Sequence, residues 1–397
     1  MGMYINIGNA GFQSARNGEY VDKSGLIAIV NKTLSSERRF SCVSRSRRFG
    51  KSMAAKMLCA YYDHSCDSKH LFEDLVIARD PSFERHLNKY PVIYLDLSAF
   101  VPRYHDDSIV GQIEAALIKD ILAAYPQVQG EAGDDLMVTL FRIHEATGQL
   151  FFFIIDEWDA ICREFPPGST AMDKYVGWLR RMFKDVNAGR VFAGVYMTGI
   201  LPIKKYKTES ALNNFLEYSM VEPRQMASFF GFTKEEVRQL AVQHHTDFDE
   251  LEKWYDGYQI GDQMSMFNPN SVMQAVLYGH NTVYWWGTSA YYKLDDLIQS
   301  NFDGVKDELI RMLGGNRYKL NWTKSLGLLS DIRYKDDIFL LLVHLGYLTY
   351  NHKERICYFP NREIAQRADN QMFNGCYYDR ETKTHSCKIQ TIKATET

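Results

Sequence analysis

The fold class of this sequence is predicted from one stretch, Ser44-Arg45-Ser46-Arg47-Arg48-Phe49-Gly50-Lys51-Ser52. It follows a short apolar run, Phe40-Ser41-Cys42-Val43, with the composition of a buried strand. After it, Met53, Met57 and Tyr61 recur every four residues, which indicates one apolar face of a helix. A strand, a basic loop with Gly-Lys-Ser and a helix, in that order, predict a phosphate-binding loop in an α/β protein.

The residues of this loop have the chemistry that a nucleoside triphosphate needs. Gly50 lets the backbone pass close to a phosphate, Lys51 supplies a cation, and Ser52 supplies a hydroxyl for magnesium. The start of the following helix adds free N–H groups. We therefore expect ATP and Mg²⁺ to bind here, and the predicted cofactor-binding residues are Arg47, Arg48, Phe49, Gly50, Lys51, Ser52 and Met53.

The loop departs from the general Walker A motif at one position. That motif begins with a glycine five residues before Gly50, and Arg45 stands there. The tripeptide Gly-Lys-Ser alone is common, so the flanking strand and helix carry the prediction. Arg45, Arg47 and Arg48 could stabilise phosphate, contact a partner or lie in solvent, and the sequence does not decide among these roles.

A second apolar strand ends in two carboxylates, as a Walker B strand does. The run Leu150 to Ile155 is followed by Asp156 and Glu157. In a P-loop ATPase the first acid holds magnesium and the second accepts a proton from the attacking water. We expect Asp156 to be a metal ligand together with Ser52, and Glu157 to be the general base. The alternative is an ordinary strand that runs into a polar turn.

Further polar residues follow other predicted strands. Thr198 ends the strand from Val191 to Met197, where it would sense the γ-phosphate or position water, unless it belongs to a simple Thr-Gly turn. Asp96 lies near the end of the strand from Val92 to Leu97. It is either a supporting acid of the site or an ordinary polar strand end. We expect Asp159 to cap the turn after Glu157. Arg180 and Arg181, on the helix before the strand of Thr198, are candidates for an arginine finger, although no sequence motif marks either residue.

The composition limits the classes of protein that the chain can belong to. Its 397 residues suggest two or three domains, and the net charge of -3 does not indicate a nucleic-acid binder. The seven cysteines form no CxxC pair, which favours reduced thiols. The N-terminus lacks a signal peptide pattern, and no apolar run approaches the roughly 20 residues of a membrane span. We expect a soluble cytoplasmic protein with no membrane partner.

The second half of the chain has a different sequence pattern. Helical patterns dominate from Gly231 to about Leu313, beginning with Thr233 as a cap and Glu236 three residues later. An apolar helix from Ile338 to Leu345 is followed by a hairpin. The helix and the hairpin together indicate a winged-helix module. The tail from Ala365 onward is polar and has no clear periodicity.

With these residues placed, the chain closely resembles the bacterial AAA-ATPase-like family that is usually fused to a PD-(D/E)XK nuclease. The similarity spans about residues 4–364. It is carried, in order, by Tyr20-Val21-Asp22-Lys23, Arg47-Arg48-Phe49-Gly50-Lys51-Ser52, Ile155-Asp156-Glu157-Trp158-Asp159, Thr198-Gly199, Leu212-Asn213-Asn214, Gly231-Phe232-Thr233, Trp254-Tyr255-Asp256-Gly257-Tyr258, Asn268-Pro269, Gly346-Tyr347-Leu348-Thr349-Tyr350 and Pro360-Asn361-Arg362-Glu363. The family's phosphate loop also lacks the leading glycine.

The resemblance implies an ATPase that drives or regulates a nuclease on DNA or RNA. It also allows the chain to assemble as a homo-oligomer. It implies that Lys51 and Ser52 bind the triphosphate and magnesium, that Asp156 holds the metal and that Glu157 is the base. For Trp254-Tyr255-Asp256-Gly257-Tyr258 our expectation is packing in the helical region. The alternative function is a non-catalytic regulatory protein that binds nucleotide or nucleic acid, the latter through the loop arginines and the winged helix.

The resemblance fades after Ile364, where family members continue into the nuclease domain. Asp379-Arg380-Glu381 with Lys383 is only a loose echo of the nuclease residues, so we expect no nuclease activity. The expected segments are an N-terminal family segment (1–37), the P-loop ATPase core (38–227), a helical and winged-helix-like region (228–364) and a divergent tail (365–397) that is a truncated nuclease remnant.

Overall fold

The computed structural model describes residues 2–104, 106–166, 168–203, 212–261, 264–285, 292–321, 332–372, 376–379 and 384–387. They divide into two compact units, and the boundary along the chain lies between Phe230 and Gly231. The first unit contains the loop and acids singled out in the sequence.

A five-stranded parallel sheet is the centre of the first unit. Its strands are β1 (Phe40–Ser44), β2 (Val92–Asp96), β3 (Phe151–Asp156), β4 (Phe192–Gly199) and β5 (Leu216–Tyr218). They lie in the order β2-β3-β4-β1-β5. Every residue of β1, β3 and β4 is buried, as expected of parallel strands with helices on both faces. The predicted α/β sheet of a P-loop NTPase is confirmed.

Helices connect and cover these strands. They are α1 (Ala10–Arg16), α2 (Gly25–Asn31), α3 (Lys51–Tyr62), α4 (Phe83–His86), α5 (Ile109–Ala124), α6 (Leu136–Thr147), α7 (Ala160–Glu164), α8 (Thr170–Lys184) and α9 (Ala188–Val191). Helix α3 follows the phosphate loop, and its Met57 and Tyr61 lie in the core as the periodicity predicts. The prediction was wrong for Met53, which is 40% exposed, because the buried face begins one residue later, at Ala54.

The second unit is built from helices and short antiparallel strands. Its elements are α10 (Lys234–Gln243), α11 (Phe248–Tyr255), β6 (Tyr258–Ile260), β7 (Met264–Met266), α12 (Pro269–Tyr278), α13 (Tyr292–Gln299), α14 (Val305–Leu313), β8 (Tyr318–Lys319), α15 (Lys335–Leu345), β9 (Thr349–Asn351), β10 (Ile356–Tyr358), α16 (Arg362–Met372), β11 (Cys376–Asp379) and β12 (Thr384–Cys387). Thr233 and Glu236 form the predicted capping box of α10.

The helix and hairpin that the sequence predicts near the C-terminal end of this unit are α15, β9 and β10. Strand β10 pairs antiparallel with both β9 and β8, so the predicted helix and hairpin are present, and the winged-helix assignment stays a prediction. Helix α15 is buried from Asp337 to Leu345, and its sequence contains no arginine and a single lysine, Lys335. It therefore has no basic face of the kind that binds a nucleic-acid backbone.

Three of the segments that carry the family resemblance contact one another in this unit. A Cβ atom added to Gly257, whose φ is +108°, would lie 1.9 Å from the carbonyl oxygen of Pro360. The guanidinium of Arg362 lies 4.5 Å from the ring centroid of Trp254, and the hydroxyl of Tyr258 donates to the carbonyl of Gly346 at 3.0 Å. These contacts give the Trp254 to Tyr258 stretch a packing role.

Two further observations bear on predictions made from composition. Cys42, Cys59, Cys66, Cys162 and Cys357 are free thiols. Within the described ranges no helix combines the length and the apolar character that crossing a membrane requires. The polar tail contains the β11–β12 hairpin, with Asp379 at the end of β11, whereas Arg380, Glu381 and Lys383 lie outside the described residues.

Candidate functional site

The phosphate loop runs from the end of β1 to the first turn of α3. Gly50 precedes the helix with a φ of +90°, a conformation that glycine adopts without steric cost. Lys51 is buried, and its Nζ donates across the loop to the carbonyl of Ser46 at 3.2 Å. Burial lowers the pKa of Lys51, and the nearby carboxylate of Glu157 opposes that shift. The lysine side chain thus folds back across the loop toward Ser46.

Asp156, at the end of β3, is buried among hydrogen-bond donors. Its carboxylate accepts from the hydroxyl of Thr198, from the hydroxyl of Tyr94 at 3.2 Å and from the backbone N–H of Glu157 at 3.1 Å. Burial raises the pKa of Asp156, and hydrogen bonds from Thr198 and Ser52 oppose that shift. The hydroxyl of Ser52 therefore contacts this carboxylate, which brings the loop and the acidic strand end together.

Glu157 lies between two cations. Its Oε1 is 3.8 Å from Nζ of Lys51, and its Oε2 is 2.6 Å from Nη2 of Arg163. Burial alone would raise the pKa of Glu157, but the charges of Lys51 and Arg163 outweigh burial and lower it. The Glu157 side chain is 20% exposed, so it is not fully closed off from solvent. Its backbone has a φ of +52°, which is uncommon for a residue other than glycine.

Thr198 lies at the C-terminal end of β4, which separates β1 from β3. Its hydroxyl donates to Asp156 and accepts from the backbone N–H of Glu157 at 3.3 Å. The Thr198 side chain thus contacts both acidic residues. That position makes it more than part of a simple turn.

The prediction that Asp159 caps the turn after Glu157 was wrong. Asp159 precedes α7, yet its side chain makes no capping bond to that helix. Its Oδ2 instead accepts from the backbone N–H groups of Ile200 and Leu201 at 3.1 and 3.2 Å, just beyond β4. Burial raises the pKa of Asp159, and the guanidinium of Arg163 opposes the shift. The side chain turns toward β4 because two backbone donors are exposed to it there.

This geometry can be compared with known proteins. Residues 6–208, more than half of the chain, match the model of the family described as predicted AAA-ATPase. The chain belongs to this family. The match includes the loop, the acidic pair and Thr198, so the AAA-ATPase assignment rests on the same part of the chain as the site.

Two solved structures are also similar to this AAA-ATPase chain. Cdc6p from Pyrobaculum aerophilum has a TM-score of 0.35 and 10% identity, with 89% of this chain and 95% of that chain covered. The ORC2 protein of Aeropyrum pernix, in ADPNP and ADP complexes, has a TM-score of 0.34 and 12% identity, with 89% and 92% covered. Both TM-scores are below 0.5, so neither similarity bears on activity or partners. No curated protein matches the sequence.

The remaining predicted loop residues have different environments. Arg48 and Met53 are exposed, Arg47 is half-buried and lowers the pKa of Glu157, and Phe49 is buried in the core. Arg45 is fully buried and donates to the carbonyls of Ser44 and Tyr218 at 2.9 and 2.8 Å. Burial lowers the pKa of Arg45 to about 9. A buried guanidinium of this kind cannot lie on a nucleic-acid binding surface.

Two residues of the site were missed from the sequence. Tyr94 points to Asp156 from the neighbouring strand β2, and Arg163 reaches Glu157 from α7. The parallel register pairs Tyr94 with Ile154, two residues before Asp156, so only the fold shows that Tyr94 lies beside this carboxylate. Arg163 lies four residues after Asp159, a spacing that allows a contact on one helical turn.

The candidate finger residues lie on α8. Arg181 is 54% exposed, and its Nη2 is 3.8 Å from the carboxylate of Glu114. Asp96, the other predicted supporting acid, accepts from the N–H and the hydroxyl of Ser98 at 2.9 and 2.7 Å. Those local bonds fit the polar strand end that was the alternative for Asp96.

Proposed function

We propose that this chain binds ATP with Mg²⁺ and hydrolyses the ATP to ADP and phosphate. The observation that supports the proposal is the meeting of two distant stretches of chain. Lys51 and Ser52 of the loop contact Glu157 and Asp156 of the acidic strand end, at the carboxyl edge of a parallel sheet, where ligands of such sheets bind. The family membership supports nucleotide binding at this site.

The residues present suit a magnesium ion. Ser52 and Asp156 offer a hydroxyl and a carboxylate in mutual contact, the hard oxygen donors that Mg²⁺ prefers. Tyr94 and Thr198 hold the carboxylate from other directions. When bound, the ion would neutralise charge on the phosphate oxygens.

The chain's own residues supply the rest of the chemistry. The N-terminus of α3 and its free N–H groups face the phosphates, and Lys51 gives up its bond to Ser46 to pair with them. Glu157 accepts the proton of the attacking water, and its lowered pKa keeps it ionised at neutral pH. Thr198 holds both acids in place from β4.

Two substitutions test the two halves of the proposal. Lys51→Ala should abolish ATP binding measured by calorimetry, because it removes the buried cation of the loop. Glu157→Gln should bind ATP and lose about 10²- to 10⁴-fold in phosphate release, which is the usual contribution of a general base. Binding without turnover by the unaltered protein would instead establish the non-catalytic alternative, and normal turnover by Glu157→Gln would refute the assignment of the base.

An association with nucleic acid is implied by the family resemblance. Of the features first considered for it, Arg45 is buried and α15 has no basic face, whereas Arg48 is exposed and Arg47 is half-buried. We expect phosphate release to proceed without DNA or RNA, since the residues assigned here to catalysis come from one unit. The measurement is phosphate release with and without duplex DNA, and an absolute requirement for DNA would contradict this expectation.

A further inference from the structure

The guanidinium of Arg163 lies 2.6 Å from the general base, and neither the loop motif nor the acidic motif assigns it. We propose that Arg163 is a positioning residue for hydrolysis: it holds Oε2 of Glu157 so that Oε1 faces the attacking water. This inference rests on the proposed ATP hydrolysis and extends it to a residue of α7.

The geometry places Arg163 between two carboxylates. Its Nη2 is 2.6 Å from Oε2 of Glu157, and its Nε is 3.9 Å from Oδ2 of Asp159. The Arg163 side chain is only 10% exposed, so these contacts are made largely out of water. Charge-assisted bonds at such a short distance are stronger than neutral ones, and less solvent screens them here than at a surface.

Asp159 fixes the other side of the guanidinium. Asp159 is fully buried and accepts from the N–H groups of Ile200 and Leu201, so its carboxylate cannot follow a moving partner. The chain of contacts thus runs from the backbone after β4, through Asp159 and Arg163, to Glu157. A base held in this way is preorganised, because its orientation is set before substrate arrives.

Lys51 and Arg163, both beside Glu157, behave differently when ATP binds. Lys51 is 3.8 Å from Oε1, and it is also the residue that the phosphates need. Its departure frees Oε1, while Arg163 stays on Oε2. The water oxygen then bonds to the γ-phosphorus, the bond from that phosphorus to the bridging oxygen breaks, and ADP leaves with the electron pair. The water proton goes to Oε1.

The backbone of Glu157 explains why such a hold is needed. Its φ of +52° is a conformation that costs a non-glycine residue of order 1 kcal/mol or more. Such a conformation persists only where surrounding contacts fix it, and the ion pair with Arg163 is one of these contacts. Without it, the carboxylate would be free to turn away from the position of the water.

The kinetic test compares Arg163→Ala and Arg163→Lys with the unaltered protein. Arg163→Ala should lower kcat by about 10- to 10²-fold, the range for a misplaced catalytic group, and leave the Kd for ATP unchanged. Arg163→Lys should restore part of kcat, because it keeps a cation that can pair with Oε2 of Glu157.

A second measurement needs no hydrolysis. The measurement is the Tm of the nucleotide-free protein for Arg163→Ala, Glu157→Ala and the double variant. The double variant should lose less Tm than the sum of the two single losses, because the two side chains share one interaction. Arg190→Ala is the matched control, since Arg190 forms a surface pair with Glu145 at 2.8 Å in the same unit. It should leave kcat and the Kd for ATP as they are.

The outcomes separate the inference from the proposed function. If the unaltered protein releases no phosphate, the proposed function fails and this role fails with it. If the unaltered protein hydrolyses ATP and both Arg163 variants keep its kcat, only the role of Arg163 is overturned. If Arg163→Ala does not fold, Arg163→Lys decides: a lowered kcat with an unchanged Kd for ATP supports the role, and an unchanged kcat overturns it.

Discussion

Thr198→Val tests whether the hydroxyl at the end of β4 holds the acidic pair. The change keeps the shape of the side chain and removes the donor to Asp156, a charge-assisted bond worth about 1.5–3 kcal/mol. The N–H of Glu157 loses its contact at 3.3 Å but keeps its bond to Asp156 at 3.1 Å. We therefore expect a loss of about 2 kcal/mol, which for a unit of this size lowers Tm by about 5 °C.

The matched control is Thr139→Val in α6. Thr139 is equally buried, and its hydroxyl donates to the carbonyl of Asp135 at 3.0 Å. That carbonyl also accepts from the N–H of Thr139 at 3.0 Å, so the substitution leaves no polar group unsatisfied. We expect this control to cost less than about 1 kcal/mol, because only a neutral bond is lost.

The pH dependence of the Thr198→Val effect identifies its cause. Burial raises the folded-state pKa of Asp156 above its unfolded value, so the contribution of this group to stability grows as pH falls through the raised pKa. Loss of the Thr198 bond raises that pKa further. The stability lost in Thr198→Val is thus complete at pH values above the folded-state pKa of Asp156 in both the unaltered protein and the variant. This loss becomes smaller as the pH falls below these two pKa values. Equal Tm losses for the two valine variants at neutral pH, or a penalty that does not change with pH, would refute the reasoning.

Three further expectations follow from the described contacts. Tyr94→Phe removes one donor to Asp156 and should lower phosphate release about fivefold, the rate equivalent of about 1 kcal/mol, with ATP affinity retained in calorimetry. Gly257→Ala should cost at least about 3 kcal/mol in thermal or denaturant unfolding, because its Cβ would lie 1.9 Å from the carbonyl oxygen of Pro360. Gly279→Ala, at the end of α12 with a φ of +72° and open space around it, should cost only about 1 kcal/mol; similar losses at the two glycines would contradict the packing argument.

The central strands could be predicted because their burial dictates composition. Strand β3 was predicted within one residue at each end, since a fully buried parallel strand is a continuous apolar run. Strand β5, Leu216–Tyr218, was missed because three residues at the edge of a sheet leave no pattern. The β6–β7 hairpin was missed for the same reason, in a region where helical periodicity dominates.

The loop and acid residues were recognisable because their chemistry requires particular side chains at a particular spacing. Their neighbours were not, because Arg163 and Tyr94 are found only when the fold brings a helix and another strand to the same edge. Asp159 shows the limit of local reasoning. Its position favours a helix cap, but the donors that it binds belong to residues more than 40 positions away in the chain.

The position of β4 between β1 and β3 offers a way to observe the site spectroscopically. Met197, buried on β4, is paired with Cys42 of β1 and Ile155 of β3, one residue before Thr198. Its methyl group thus lies next to the strands that carry the loop and the acids. A ¹³C-labelled methyl at this residue, assigned by Met197→Leu, would report by its chemical shift on the nucleotide state of the site without an attached dye.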